Sequence, residues 1–175
     1  MALSANVTCN IDANQTKSIG PSDNTASLRV GKTNGFKNAY ASTSDNTVYS
    51  SSNAIAASGS LSIDLAGSLT DLYGDAAVFS SVYSVLIVNH SGSPIGGQTA
   101  TTADIAITGN FLTTAFGASS SWPLKATSGK YSKLLFDEPA GISITASTAD
   151  TITITNSSAT AIAYVDVIIV GAVAS

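Results

Sequence analysis

The sequence predicts an all-β protein: an antiparallel β-sandwich, jelly roll in type, in a single domain spanning 1–175. Three observations predict it. First, 46 of the 175 residues are β-branched (11 Val, 15 Ile, 20 Thr), while Glu, Gln, Lys, Arg and Met together number 11. The residues that favour exposed helix positions are therefore nearly missing. Second, several segments alternate apolar and polar residues with period two, the pattern of a strand with one buried face. Third, these segments are separated by Ser-, Gly- and Asp-rich stretches at sandwich spacing.

In chain order, residues 1–56 read as more polar N-terminal strands and an arm, and 57–175 as the core strands. Ala5–Ile11, Ser27–Val30, Val48–Ser51 and Ser60–Leu65 are expected strands. The stretch from Asp64 to Ala76 carries two Gly and three Asp and reads as turns. Val82–Asn89 is a strand with Leu86 and Val88 opposed to Val85 and Ile87, so both its faces are apolar. Residues 89–101 and 117–130 are expected loops, the second around Trp122-Pro123. From Gly141 three alternating runs follow at hairpin spacing: one with Ile142 and Ile144, one with Ile152 and Ile154, and a last from Ala161 to Val173. Their spacing predicts an antiparallel meander. In the last run Val165, Val167 and Ile169 oppose Tyr164, Asp166, Ile168 and Val170, again apolar on both sides toward its end. One face of an antiparallel sandwich normally meets water. Two doubly apolar strands therefore require a cover, either a chain segment or a second subunit. The subunit is favoured, because the loops are too rich in Ser and Gly to cover much.

Charge and composition exclude several function classes. Charged residues make up 10%, the net charge is −4 and the pI is near 4.5. With one Arg there is no electrostatic footprint for nucleic acid. One Cys builds neither a disulfide framework nor a Cys-rich zinc site, and Cys9 reads as a small buried apolar residue. Met1-Ala-Leu-Ser-Ala lacks the basic and apolar regions of a signal peptide, and the run from Ala161 is too short for a membrane span. Neither export nor membrane contact is expected. Four Asn-x-Ser/Thr sequons, at Asn6, Asn14, Asn89 and Asn156, are expected to follow by chance from Ser/Thr richness.

No catalytic constellation emerges. The single His, His90, ends a strand, and no Gly-x-Ser-x-Gly elbow is present. Asp137 and Glu138 are adjacent, so on a strand their side chains diverge and form no glycosidase pair. Asp64, Asp71 and Asp75 do not follow an EF-hand spacing and read as turn residues bonding local amides. Neither catalytic residues, a cofactor nor a metal is expected. Trp122 and Tyr131, beside Lys125, Lys130 and Lys133, offer a glycan platform or a plug for the end of the sandwich.

Ser62-Ile-Asp-Leu-Ala-Gly-Ser-Leu-Thr-Asp-Leu-Tyr-Gly74, with Val78-Phe79 and Val85-Leu-Ile-Val-Asn89, resembles a family of small tailed-bacteriophage virion proteins. So do Gly141 to Asp150, Thr151-Ile-Thr-Ile-Thr-Asn156 and Tyr164-Val-Asp-Val-Ile-Ile-Val-Gly171. The resemblance runs from about residue 57 to the end and is looser before it. It implies a jelly-roll capsid decoration, or cement, protein: a homotrimer on the outer surface of the virion head, with the major capsid protein as partner. The basic residues Lys17, Arg29, Lys32 and Lys37 are the expected capsid contacts. The competing expectation is a receptor- or glycan-binding module of a tail fibre or baseplate, in which Trp122 and Tyr131 line a sugar site.

Overall fold

Four strands at the N-terminus pair among themselves. β1 (Ser4–Cys9) runs antiparallel to β4 (Phe36–Ala41), and β2 (Asp12–Ser18) to β3 (Thr25–Gly31). Residues Ser4–Ala41 form one compact unit, and the chain from Ser42 onward forms another. The computed structural model describes residues 4–9, 12–18, 25–31, 36–41, 46–67, 69–71, 74–117 and 121–173, and only the backbone before Thr47.

The second unit is an antiparallel β-sandwich. Its strands are β5 (Asn46–Ile55), β6 (Ser60–Asp64), β7 (Phe79–Asn89), β8 (Ile105–Thr108), β9 (Trp122–Leu124), β10 (Ser132–Ser143), β11 (Thr151–Asn156) and β12 (Ala163–Val173). A seven-residue helix, α1 (Asn110–Phe116), lies between β8 and β9. One sheet has the order β10-β7-β12-β5 and the other β6-β11-β8-β9. The pairs β8·β9, β7·β10, β6·β11 and β5·β12 are nested, innermost to outermost. The chain is thus one long hairpin folded over on itself, with β7·β12 and β8·β11 joining the pairs into sheets. That is jelly-roll connectivity.

The three final strands do not form a meander. β10 and β12 lie in one sheet and β11 in the other, so both connections arch across the sandwich. Alternation reports which face of a strand is buried and carries no information about its neighbour. The run from Gly141 is the tail of β10, which begins at Ser132 and is interrupted by an irregularity between Asp137 and Ile142. Pro139 and Gly141, the latter at φ 77°, sit in that break. β9 falls inside the expected 117–130 loop, as a three-residue edge strand that contains Pro123.

The inner faces supply the core. Ile63, Val85, Ile87, Ile105, Ile107, Ile152, Ile154, Val165, Val167 and Ile169 are buried, as the alternating pattern requires. α1 closes the gap beside β11 by burying Phe111 and Leu112. Phe111 meets Phe136 edge-on, Phe136 meets Phe116, and Phe116 carries Trp122. Gly109 precedes the helix at φ 126°, where a Cβ would sit 2.2 Å from the Thr151 carbonyl.

Hydrophobic burial is non-directional, so polar contacts fix how the sheets sit. Asn89 ends β7 fully buried, and its Nδ2 donates to the carbonyls of Ala103 (3.1 Å) and Leu124 (2.9 Å) at the edge of the opposite sheet. Its Oδ1 accepts from the N–H and the hydroxyl of Ser91, whose Oγ accepts from Tyr164 N–H. Asn156 ends β11 and does the converse. Its Nδ2 reaches the carbonyls of Ile55, Ala56 and Ala161, and its Oδ1 accepts from Ser158 N–H. Two of the four sequons are Asn-x-Ser turns whose amides are occupied by hydrogen bonds within the fold. At the other end Asn110 Oδ1 accepts from the N–H groups of Asp150 (2.8 Å) and Thr151 (2.6 Å), and its Nδ2 donates to Asp150 Oδ1 (3.0 Å).

Asn89→Ala removes the donor to the carbonyls of Ala103 and Leu124, and Asn156→Ala the donor to the buried carbonyl of Ile55 and to that of Ala161. Each substitution is expected to cost about 2–5 kcal/mol and to lower Tm by about 5–15 °C in thermal denaturation. The N–H of Ser147 and the amide of Asn110 hold the Asp150 carboxyl below the usual carboxylate range. Lys125, 2.7 Å away, and the Ala126 N–H do the same for Asp104. Carboxyls lowered in the folded state stabilise it fully above their unfolded pKa, and that contribution is lost as pH falls through the folded values. Tm is expected to hold from pH 7 to about 5 and to fall below about pH 4, with a shallower fall in Asp150→Asn.

Candidate functional site: the outer face of the β10-β7-β12-β5 sheet

Register places the outward residues of this sheet in rows. Leu135 lies opposite Leu86, Leu86 opposite Ile168, and Ile168 opposite Ser50. In the next row Lys133 lies opposite Val88, Val88 opposite Asp166, and Asp166 opposite Ser52. A third row contains Asp137, Ser84, Val170 and Val48, but Ser84 and Val170 are buried, so the face is open only at the first two rows. Leu135 is 37% exposed and Ile168 39%, both unusual for large apolar side chains in the middle of long strands. Leu86 and Val88 between them are half-buried. A contiguous apolar band therefore crosses three strands of the face that an antiparallel sandwich ordinarily gives to water.

The band is rimmed by polar groups. On one side Lys133 is exposed and forms no ion pair among the described residues. On the other, Asp166 Oδ1 lies 3.4 Å from His90 Nε2. His90 is buried, stacks on Tyr164 with centroids 6.0 Å apart, and leaves Nδ1 without a hydrogen-bond partner. Among the described residues no hydroxyl bonds to that nitrogen. The face is apolar in the centre, with Lys133 and Asp137 on the β10 side and Asp166 on the β12 side.

The remaining sequence candidates are dispersed. Lys17 lies opposite Ala26 on β2·β3, Arg29 opposite Asn14 on the same ribbon, and Lys37 opposite Thr8 on β1·β4. Lys32 lies outside the described residues. Cys9 ends β1, a strand described by its backbone alone. Trp122 is 39% exposed on the edge strand β9 and packs on Phe116 with centroids 5.3 Å apart. Tyr131 is exposed and makes no ring contact with it. Tyr131 precedes β10, five residues before the Phe136 end of the ring stack, roughly 16 Å along the strand. Asp64 accepts the Ala66 N–H and Asp71 the Asp75 N–H, as turn residues do. Among the described residues no three His, Cys, Asp or Glu side chains converge as metal ligands, and no helix is long and apolar enough to cross a membrane.

Sequence reasoning found the β7 and β12 contributions to the band but missed Leu135 and Lys133 on β10. The signal was the adjacent pair Leu134-Leu135, which places an apolar residue on each face. Comparison with known proteins gives no match, whether family model, curated protein or solved structure.

The two faces of β12 are expected to respond differently to truncation. Ile169→Ala, inside, should cost about 2–5 kcal/mol. Ile168→Ser, outside, should stay within about 1 kcal/mol by urea denaturation in dilute solution. Equal losses would contradict an open outer face.

Proposed function

We propose that the protein is a structural component of a tailed-phage virion, a capsid decoration or cement protein that binds the outer surface of the head as a homotrimer. The observation that carries this reading is the apolar band on the outer face of β10-β7-β12-β5. The resemblance of residues 62–74, 85–89, 141–156 and 164–171 to small phage virion proteins supports it. The near absence of charge, with Ser and Thr as the polar surface, is consistent with it.

The mechanism is mechanical. A trimer that buries the bands around its axis presents the same base three times to the major capsid protein. Weak contacts made simultaneously multiply in avidity, and this resists shell expansion by packaged DNA. Lys17, Arg29, Lys32 and Lys37 are proposed as the capsid-facing cations. The second reading, a glycan-binding tail module, rests on the half-exposed Trp122, and Trp122→Ala would abolish its glycan binding.

Quantitative mass spectrometry of purified virions tests the choice. A copy number near that of the major capsid protein is expected. A few copies per particle would transfer the protein to the tail, and absence from virions would defeat both readings.

A further inference from the structure

We propose that the free edge of β5 receives an extended polypeptide strand of the capsid surface, which adds a fifth strand to the β10-β7-β12-β5 sheet. The inference rests on the capsid reading above for the identity of the partner, and on the strand ladder for the mode of binding.

An edge strand offers unpaired N–H and C=O groups to any extended chain, and folded proteins blunt such edges with charge, proline, bulges or brevity. Three of the four edges of this sandwich are blunted. β9 has three residues and contains Pro123, and β6 has five and ends on Asp64. β10 is long, but it carries Lys133, Asp137, Glu138 and Pro139 and is interrupted between Asp137 and Ile142. β5 has none of these devices. Its ten residues, Asn-Thr-Val-Tyr-Ser-Ser-Ser-Asn-Ala-Ile, hold neither a charge nor a proline. They pair with β12 from Asn46 to Ile55 without a register shift, and among the described residues no strand pairs with the other side.

The groups on offer follow from the ladder. Tyr164 accepts the His90 N–H and donates its own N–H to Ser91 Oγ, so its main-chain groups face β7 rather than β5. Tyr164 lies opposite Ala54, and antiparallel pairs alternate between bonded and non-bonded. Thr47, Tyr49, Ser51, Asn53 and Ile55 therefore bond to β12, while Val48, Ser50, Ser52 and Ala54 turn their N–H and C=O groups outward. The side chains of Ser50, Ser52 and Ala54 are exposed and too small to shield that backbone. Donors and acceptors repeating at every second residue fit an extended polypeptide. On the inner side Tyr49 packs against the core, so the added strand meets it with apolar residues at alternate positions. A second copy would have to bring its own β5, the other edges being blunted, about a two-fold axis that a trimer lacks.

Amide hydrogen exchange of the full chain, resolved by residue, tests the edge. In free protein the N–H groups of Val48, Ser50, Ser52 and Ala54 are expected to exchange rapidly and those of Tyr49, Ser51 and Asn53 slowly. Equal protection of both sets would overturn the proposal, and protection that fades on dilution would name a second copy as the occupant. On capsids of the same phage assembled without this protein, the four rapid amides should slow by about tenfold or more. Binding with those amides still rapid would overturn the added strand and leave the capsid reading standing; no binding would sink both. Ser50→Pro and Ser52→Pro delete outward donors and leave the β12 ladder intact. Each should weaken capsid binding by about tenfold, while Ser50→Ala leaves it unchanged. Proline variants that keep the wild-type Tm and bind as tightly as the wild type would also overturn the proposal.

Discussion

Two buried asparagine side chains, one from each sheet, tie this sandwich together across its core. Aliphatic faces built of Ile and Val adhere strongly but specify position weakly, because burial has no direction. A carboxamide with both ends satisfied does have direction. Asn89 reaches from β7 to the carbonyls flanking β8 and ending β9, and Asn156 reaches from β11 to those of Ile55, Ala56 and Ala161. Each would be costly to bury unpaired, so each admits only the arrangement that satisfies it. Both sit at strand ends on the same side of the fold, where the long hairpin crosses between sheets. Asn110 and Asp150 perform the same service at the opposite end, where the short helix enters.

This division of labour explains what the sequence disclosed. The inner faces were legible: alternation at Ile152 and Ile154, or at Val165, Val167 and Ile169, is dictated by one buried side, and all five residues are buried. Neighbours were not legible. The runs at Ile142, Ile152 and Ile162 are separated by distances that suit a hairpin or an arch equally well, and only long-range pairing with β7 and β6 decides between them. α1 escaped notice because Asn-Phe-Leu-Thr-Thr-Ala-Phe has no capping side chain and poor intrinsic helicity; Phe111 and Leu112 hold it by burial. Asn89 and Asn156 were visible only as sequons, although the Ser two residues on in each is part of the knot.

The outer face follows from the same framework. Once the inner sets of β7, β10 and β12 are fixed, alternation obliges Leu86, Leu135 and Ile168 to point outward together. The apolar band is thus a positional consequence of the nested hairpin, and its charged flanks lie in register because strand pairing puts them there. Half of this band was legible as doubly apolar strands. The other half was hidden in β10, where Leu134 and Leu135 divide between the faces and the bulge before Ile142 breaks the pattern. The step from surface to function rests on this band.

Hydroxyl-radical footprinting of the native protein tests the central claim, that copies of this chain cover the outer face of β10-β7-β12-β5. Tyr131, exposed at the loop end, serves as the internal reference. Leu135 and Ile168 are expected to be oxidised as slowly as core residues while Tyr131 reacts freely, and to gain reactivity on dilution. Oxidation of Leu135 and Ile168 at the rates their exposure in a single chain dictates, independent of concentration, would contradict the account.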